Sequence, residues 1–567
     1  MGVFSILRTV VCGSLLAGVA VTLCGCGPEA VKPPNIVLVM MDDFGVGAFA
    51  PLARNLEVED FDPAFVAYLE RHGVPYEGTQ PLEFARRAMP TLSRLAESGV
   101  VFTNAHAASN LCAPSRAAVF TGRRPSRLGV YINHDLEQVG LPKDSVLAGR
   151  LQAAGYATGM IGKWHVGARD QTLRTEVLSK HGYAPGEYAQ AVQEHPEIAD
   201  EVLKTGYTGS VIAEHHPLNN GFDYYFGYNH FASPFYNSHW IWEDFEHTGL
   251  QEEYNTELFT RRALRFIGSA RERGKPYFVE LAYHAVHDSL KPKAPDRYFE
   301  KFSSESYDLT NFFAHVNAVD EGVRAILDDL ERNGELEDTL FLFCSDNGAQ
   351  LALESPLPGN APYSGHKGTY LEGGHHIPML LHWPGAVEGG QTRAELVSMM
   401  DLMPTALDAA GVPLPAGLDG RSLLPLLAGK EDKVHDYLMW VGIHARAWGF
   451  WGETTIGAPP HSRRNESPGA WTVSDGRYLL RFVGETPAGL YNDAPGGIPA
   501  HYEMHDITAD PLESNNIHGD HPEIAERLEH VYETGAQTLP PPSRWPEDRW
   551  REILPAGHSR AEDAGKD

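Results

Sequence analysis

The chain has 567 residues, 42% of them hydrophobic and 10% aromatic, enough to bury a large core and too apolar for a mostly disordered chain. Lys and Arg number 46 against 75 Asp and Glu, a formal net charge of −29, and such a surface repels nucleic acid and anionic membrane at long range. An anionic substrate would need local attraction from a few cations gathered in one pocket; otherwise the acidic balance serves solubility alone.

The first element in chain order is a leader. Arg8 precedes an apolar stretch over residues 10–23 that is short for a membrane span and is followed by small residues, the pattern of a secretory signal over 1–25. Its end, "LCGC", resembles a bacterial lipobox with Cys26 as lipid acceptor, although Cys24 is uncommon at its position and cleavage without lipidation stays open. The expectation is an exported bacterial protein, periplasmic or membrane-anchored through lipid, with a linker over 26–34 and no other membrane contact. The mature body then keeps Cys112 and Cys344, which make no disulfide framework. A single Cys112–Cys344 bridge is the structural alternative, but Cys344 ends an apolar run and suits a small packed hydrophobe.

"NIVLVMMDD" is an unbroken apolar run ending in two aspartates, the pattern of a buried central strand whose C-terminal end meets solvent. "TLSRLAESG" predicts a helix closed by Gly99, "VVFTNAH" a strand, and "CAPSRAAVFTG" a short helix stopped by Gly122. "SVLAGRLQAAG" then "YATGMIGKWH" repeat the helix–strand order. "PYFVELAYH" and "TLFLFCSDNG" are further buried strands, separated by the long amphipathic helix "FFAHVNAVDEGVRAILDDLERNG". "IPMLLHWPG" predicts a strand and "DLMPTALDAAG" a helix. The alternation predicts an α/β fold, a large mostly parallel sheet sandwiched by helices over 35–430. From about 431 to 550 short antiparallel strands and one late helix predict a smaller C-terminal α+β domain; 551–567 is a polar tail. Residues 49–88 and 168–216 are insertions expected to surround the pocket.

The chemistry sits at strand ends. Asp42 and Asp43 end one buried strand; alone they suit a solvated turn, since adjacent carboxylates repel unless a cation joins them. Asp346 and Asn347 end another. In a parallel sheet these ends line one crevice, and four oxygen donors there suit Ca²⁺ or Mg²⁺. Lys163 and His165 end a third strand and His284 and His287 a fourth, while Lys367 rides on the Gly-rich loop "SGHKGTYLEGG". Singly each is more often structural. Jointly they place cations and proton carriers around the acids, an arrangement for an anionic tetrahedral substrate. Cys112 opens a helix, where the dipole favours a thiolate, but no Cys-His-Asn arrangement accompanies it, and a thiolate is a poor ligand for hard cations.

"CAPSRAAVFTGR" resembles the signature of the type I sulfatases, in which Cys-x-Pro-x-Arg is recognised and the cysteine is oxidised to formylglycine. "MMDDFG", "GKWHVG", "AVHDS", "SDNG", "GHKGTYLEGG" and "HWPG" follow the order of that family. The resemblance covers roughly 35–538. It implies an alkaline phosphatase-like fold and an arylsulfatase-like hydrolase that releases inorganic sulfate from a sulfated small molecule or glycan. It also implies a formylglycine-generating enzyme as partner. Asp42, Asp43, Asp346, Asn347 and residue 112 would hold the metal, usually Ca²⁺ with Mg²⁺ as the alternative. Residue 112, as a hydrated aldehyde, would attack sulfur, with Arg116 orienting it. Lys163 and Lys367 would hold sulfate oxygens, Lys367 or His287 would protonate the leaving alcohol, and His165 would accept a proton when sulfate is expelled.

The sequence departs from the family pattern in three places: residues 49–88 intervene after "DDFG", Val286 replaces a proline, and His376 stands where many relatives carry arginine. All three bear on the region expected to decide leaving-group specificity. "GYNHFASPFYNSHW" supplies Tyr228, His230, Tyr236, His239 and Trp240 as candidate sugar contacts, against a plain core cluster. Phosphonate or phosphate ester hydrolysis on the same scaffold is the competing chemistry. A non-catalytic lipoprotein that binds sulfated glycans is the competing class.

Overall fold

Alternation along β1 (Asn35–Met41) explains why its run is apolar throughout. Val37, Val39 and Met41 pack into one hydrophobic cluster, while Ile36, Leu38 and Met40 pack into another on the opposite face. A strand covered on both sides has no polar face to show, and each fully buried aliphatic side chain contributes about 1.5–3 kcal/mol. The same division holds at β8 (Tyr277–Ala282) and β9 (Thr339–Ser345).

The computed structural model describes residues 33–443 and 469–554, apart from 77, 144–145, 353–355, 487, 489–495, 542–549 and 552. The expected leader, Cys26 and nearly all of the expected linker and tail lie outside the described residues. In chain order the strands are β1, β2 (Val100–Phe102), β3 (Ala105–His106), β4 (Ala157–Lys163), β5 (Tyr224–Tyr228), β6 (Trp242–Glu243) and β7 (Glu246–His247). After β8 and β9 come β10 (Met379–His382), β11 (Gln391–Arg393) and β12 (Val397–Ser398). Ten of these form one sheet in the order β11–β2–β10–β9–β1–β8–β4–β5–β6–β7, and β12 pairs with β3. The centre, from β9 to β5, is parallel. Antiparallel pairs involve β10 on one side and β6 and β7 on the other.

Helices Asn255–Glu272 and Tyr307–Arg332 cover the face bearing Val37, Val279 and Phe341. Helices Cys112–Thr121, Leu147–Ala153 and Leu402–Ala409 cover the face bearing Leu38, Phe278 and Leu342. A second sheet, β13 (Leu438–Ile443), β14 (Gly469–Ser474), β15 (Tyr478–Val483) and β16 (His501–Asp506), is antiparallel in sequence order. Helix Pro522–Ala536 lies on it, with Tyr532 stacked on Trp471 at 4.1 Å. The fold is therefore the expected α/β architecture with a smaller antiparallel C-terminal sheet. Among the described residues, no helix is long and apolar enough to cross a membrane.

Some expectations need correction. "VVFTNAH" is not one strand: the chain leaves the main sheet after Phe102 and enters the two-stranded sheet at Ala105. Gly99 closes its helix without a left-handed conformation (φ −121°). Its glycine is needed because a Cβ would meet the Leu381 and Leu95 carbonyls at 2.7 Å. Residues 49–88 fold into helices whose Phe65, Tyr68, Leu82 and Phe84 join the main core. Cys112 and Cys344 are both buried and unbridged.

Candidate active site

Two strand ends are stitched together at the C-terminal edge of the sheet. The Asp43 N–H donates to Asp346 Oδ1 (3.2 Å) and the Phe44 N–H to Ser345 Oγ (3.0 Å). Asp43 takes a left-handed backbone (φ 57°), unusual for a residue with a side chain. The turn brings Asp42, Asp43, Asp346 and Asn347 together, all essentially inaccessible to solvent. Asn347 Nδ2 donates to Asp43 Oδ1 at 2.8 Å.

Three cations answer three carboxylates. Arg116 Nε and Nη2 both donate to Asp346 Oδ2 (3.0 and 2.8 Å), and Nη1 donates to the Lys163 carbonyl (2.9 Å). Lys163 Nζ donates to Asp42 Oδ2 at 2.6 Å, and Lys367 Nζ to Asp43 Oδ2 at 2.8 Å. The helix spacing puts Arg116 on the same face as residue 112, yet its guanidinium reaches on to the strand-end acid. Its principal partner is Asp346.

The structure brings residue 112 into this group. Cys112 Sγ lies 3.9 Å from Asp43 Oδ1, and ligand atoms of Asp42, Asp43, Cys112 and His287 all lie within 4.8 Å of one another. The expectation of an acidic thiol fails. Burial pushes the Cys112 thiol up to about 12 against the pull of Lys163 and Lys367. A proton on sulfur makes the unmodified cysteine a poor nucleophile.

His287 and His165 carry opposite tendencies. His287 Nδ1 is held by Asp288 (2.6 Å to the carbonyl, 3.0 Å to Oδ1), which turns Nε2 towards Lys367 Nζ at 3.1 Å. Burial and Lys367 work against protonation of His287, but Asp43, Asp42 and Asp288 outweigh them and raise its pKa. His165 is held well below the ordinary imidazole range by burial, then by Lys163 and Arg116, and its Nδ1 is buried without a partner among the described residues. His284 does not line the adjoining cavity: it bonds Tyr228 Oη (3.1 Å), and burial first, then His287 and Lys163, lower its pKa.

A cavity of about 520 Å³ opens over these groups, with His165, His287 and Lys367 in its wall beside Arg169, His230 and Phe231. Among the described residues, its wall includes none of the 49–88 insertion and only Arg169 from 168–216. Both insertions were expected to surround the pocket; the first serves the core, and the second holds its own small cluster around Leu178 and Ile198. Among the aromatic candidates, His230 reaches the cavity, while Tyr228 is fully buried and Tyr236 packs on Tyr254. Phe231, half exposed and 6.1 Å from the His287 ring, was not singled out from sequence; its exposure is a property of the loop path. His376 does not line the cavity.

The donor set fits a hard divalent cation. Asp42 Oδ1 and Asn347 Oδ1 are buried acceptors with no hydrogen-bond partner among the described residues, and such acceptors are costly unless a cation or water satisfies them. Carboxylate and amide oxygens are the ligands that Ca²⁺ and Mg²⁺ take.

A family model described as Sulfatase matches residues 34–412. The chain is 34% identical to the Uncharacterized sulfatase YdeN of Escherichia coli (strain K12), over 72% of this chain and 68% of that one. It is 30% identical to the N-acetylgalactosamine-6-sulfatase of Mus musculus, over 70% of this chain and 67% of that one. Among solved structures, Ps i-CgsB in complex with k-i-k-neocarrahexaose matches with a TM-score of 0.66 at 21% identity, covering 93% of this chain and 99% of the other. That likeness is one of fold.

Proposed function

The chain belongs to the sulfatase family and is a sulfatase, and from that premise we propose that it releases inorganic sulfate from a sulfated carbohydrate, using residue 112 after its oxidation to formylglycine. The observation that carries this reading is the meeting of Cys112, the Asp42–Asp43–Asp346–Asn347 oxygens and two lysines at the strand ends, with Lys367 reaching the wall of the adjoining cavity. About 520 Å³ lies within the usual range for small-ligand sites and suits a saccharide unit. The Mus musculus relative is named for a sulfated amino sugar, which favours a carbohydrate.

When bound, a divalent cation supplies Lewis acidity to the sulfate oxygens, and the hydrated aldehyde at 112 supplies the nucleophilic hydroxyl. The chain's own residues do the rest. Lys163 and Lys367 are anchored on Asp42 and Asp43, so their ammonium groups are fixed before sulfate arrives. His287, with Nδ1 held by Asp288 and its pKa raised, sets Nε2 beside Lys367 Nζ, and one of the two delivers the proton to the leaving oxygen. His165, held neutral, is the acceptor for the proton lost when sulfate departs. A buried thiol with its proton retained supports modification before use, which requires a formylglycine-generating enzyme as partner. The leader supports export, with Cys26 as the site of lipid attachment.

The test is sulfate release from a panel of sulfated saccharides, alongside aryl sulfate and aryl phosphate, by protein made together with a formylglycine-generating enzyme. Sulfate release that vanishes in Cys112→Ala is expected. Faster phosphate than sulfate turnover, or full turnover by Cys112→Ala, overturns the proposal. Glycan binding without release, with an unmodified cysteine, would make the protein a lectin-like one.

A further inference from the structure

Away from the acids of β1 and β9, a second group of buried ligating side chains has no part in the chemistry above. His106, at the end of β3, faces Glu372 and His376, which open and follow the short helix Glu372–His375 after Lys367. The three residues are 1–2% exposed, and their ligand atoms lie within 4.8 Å of one another. His376 Nδ1 is 2.9 Å and His106 Nδ1 3.6 Å from Glu372 Oε1.

Each imidazole is oriented from behind. His106 Nε2 bonds Asn104 Oδ1 (2.8 Å) and His376 Nε2 bonds the Thr103 carbonyl (2.9 Å). Both partners are acceptors, so both Nε2 atoms carry the ring proton. In the neutral rings, Nδ1 then presents its lone pair to the carboxylate. Two lone pairs and a carboxylate turned on one point lack a cation between them. Glu372 Oε2 is buried with no partner among the described residues, which is the same deficit seen from the acid. Hydrogen bonding of the distal ring nitrogen to a carbonyl-type oxygen is how proteins fix metal-ligating histidines.

We propose that His106, Glu372 and His376 bind a divalent transition-metal ion of the zinc class. Two imidazoles and a carboxylate are a donor set that zinc accepts. Ligands about 2.0–2.1 Å from a tetrahedral ion stand about 3.3–3.4 Å apart, and the 2.9 and 3.6 Å separations here bracket that spacing. His375 Nδ1 lies 3.3 Å from His106 Nδ1, outside the three-residue ligand group. Tyr363 stacked on His376 and Trp440 stacked on His375 wall the site from solvent. The ion would tie the segment leading to residue 112 to the segment carrying Lys367.

The test is metal content and Co²⁺ spectroscopy on the full mature protein, stripped with chelator and refilled in excess Ca²⁺ so that the oxygen-rich site is occupied. One equivalent of Zn²⁺ is expected, and Co²⁺ in its place gives the visible ligand-field bands of a tetrahedral nitrogen and oxygen site. His376→Arg offers Glu372 a guanidinium in place of a ligand, so it should fold and lose the whole equivalent. Asp43→Asn should keep it. Wild-type protein that takes up neither ion overturns the proposal and leaves an imidazolium–carboxylate pair. So does an equivalent that survives in His376→Arg or disappears in Asp43→Asn.

Discussion

At the residue scale, magnitudes decide which group does what. A helix dipole is worth about 0.3–1 kcal/mol to a charge at its N-terminus, while each unit of pKa is worth about 1.36 kcal/mol. Burial lifts Cys112 from 9.0 to about 12, so desolvation wins by a wide margin. His287 is open to a sharper test. If it delivers the proton to the leaving oxygen, His287→Ala should slow hydrolysis of a sugar sulfate by about 10²–10⁴-fold. Hydrolysis of nitrophenyl sulfate, whose phenolate leaves without help, should slow far less. Equal losses on both substrates would remove His287 from the proton path.

Glu280 is a second residue with a measurable signature. It lies in the middle of β8, is fully buried, and neither carboxylate oxygen has a partner among the described residues. Burial raises its pKa from 4.5 to about 8, against the pull of Arg116. The folded chain therefore holds a proton that the unfolded chain releases above 4.5. The stability from this group is full below about 4.5, falls as pH rises towards 8, and is level beyond. A shift of this size is worth on the order of 3–5 kcal/mol by linkage. Glu280→Gln should flatten the fall in urea-melt stability across that window. An unchanged slope would place the titration elsewhere.

Between elements, one long helix closes two others. Asp320, on helix Tyr307–Arg332, accepts from the Thr91 and Leu92 N–H groups (3.0 and 2.9 Å), and Asn317 Nδ2 donates to the Ala88 carbonyl (2.9 Å). The end of helix Gln80–Ala88 and the start of helix Pro90–Ser98 are thus satisfied inside the core by a third element. Asp320→Ala leaves two buried N–H groups bare and should cost about 1–3 kcal/mol for each, read as a lower urea midpoint. A loss under 0.5 kcal/mol would mean water replaces the carboxylate.

These long-range caps mark where sequence reading runs out. The apolar runs of β1, β4, β8 and β9 declare themselves, and the polar residues at their ends locate the site, because strand direction alone brings those ends together. Strands β6 and β7 have two residues each, too short for a period to show. The His106–Glu372–His376 group is equally invisible: its members meet through an isolated bridge between His106 and His376, a pairing no local pattern encodes. Arg116 stands one helical turn from residue 112, but its bond to Asp346 depends on the length of the guanidinium and the position of β9.

Over the whole molecule, the C-terminal sheet braces the site from a distance. Arg481 on β15 is buried and donates to Glu503, Glu513 and the Tyr370 carbonyl, while Glu513 accepts from the Glu372 N–H. Tyr370 and Glu372 closely follow Lys367 in the chain, so the smaller sheet holds the segment that carries Lys367 by its backbone. Removing a buried charge from such a network costs about 3–5 kcal/mol, and Arg481→Ala should lower both the melting point and kcat. A drop in melting point with kcat intact at low temperature would show that the brace serves stability alone.

The overall charge sets a last expectation. With a formal net charge of −29, the surface repels polyanionic glycans over a Debye length of about 10 Å at 0.1 M salt. The cations gathered at the strand ends, Lys163, Lys367 and Arg116, are each paired with a carboxylate, so their field is largely cancelled at long range. Approach of a multiply sulfated oligosaccharide is then opposed until it reaches the cavity. Raising salt from 10 to 150 mM should increase kcat/KM for such a substrate, and should change it little for a monosulfated monosaccharide. A fall with salt for the oligosaccharide would mean that a local cationic path, with Arg169 at the cavity wall as its first member, outweighs the net charge and steers the chain in.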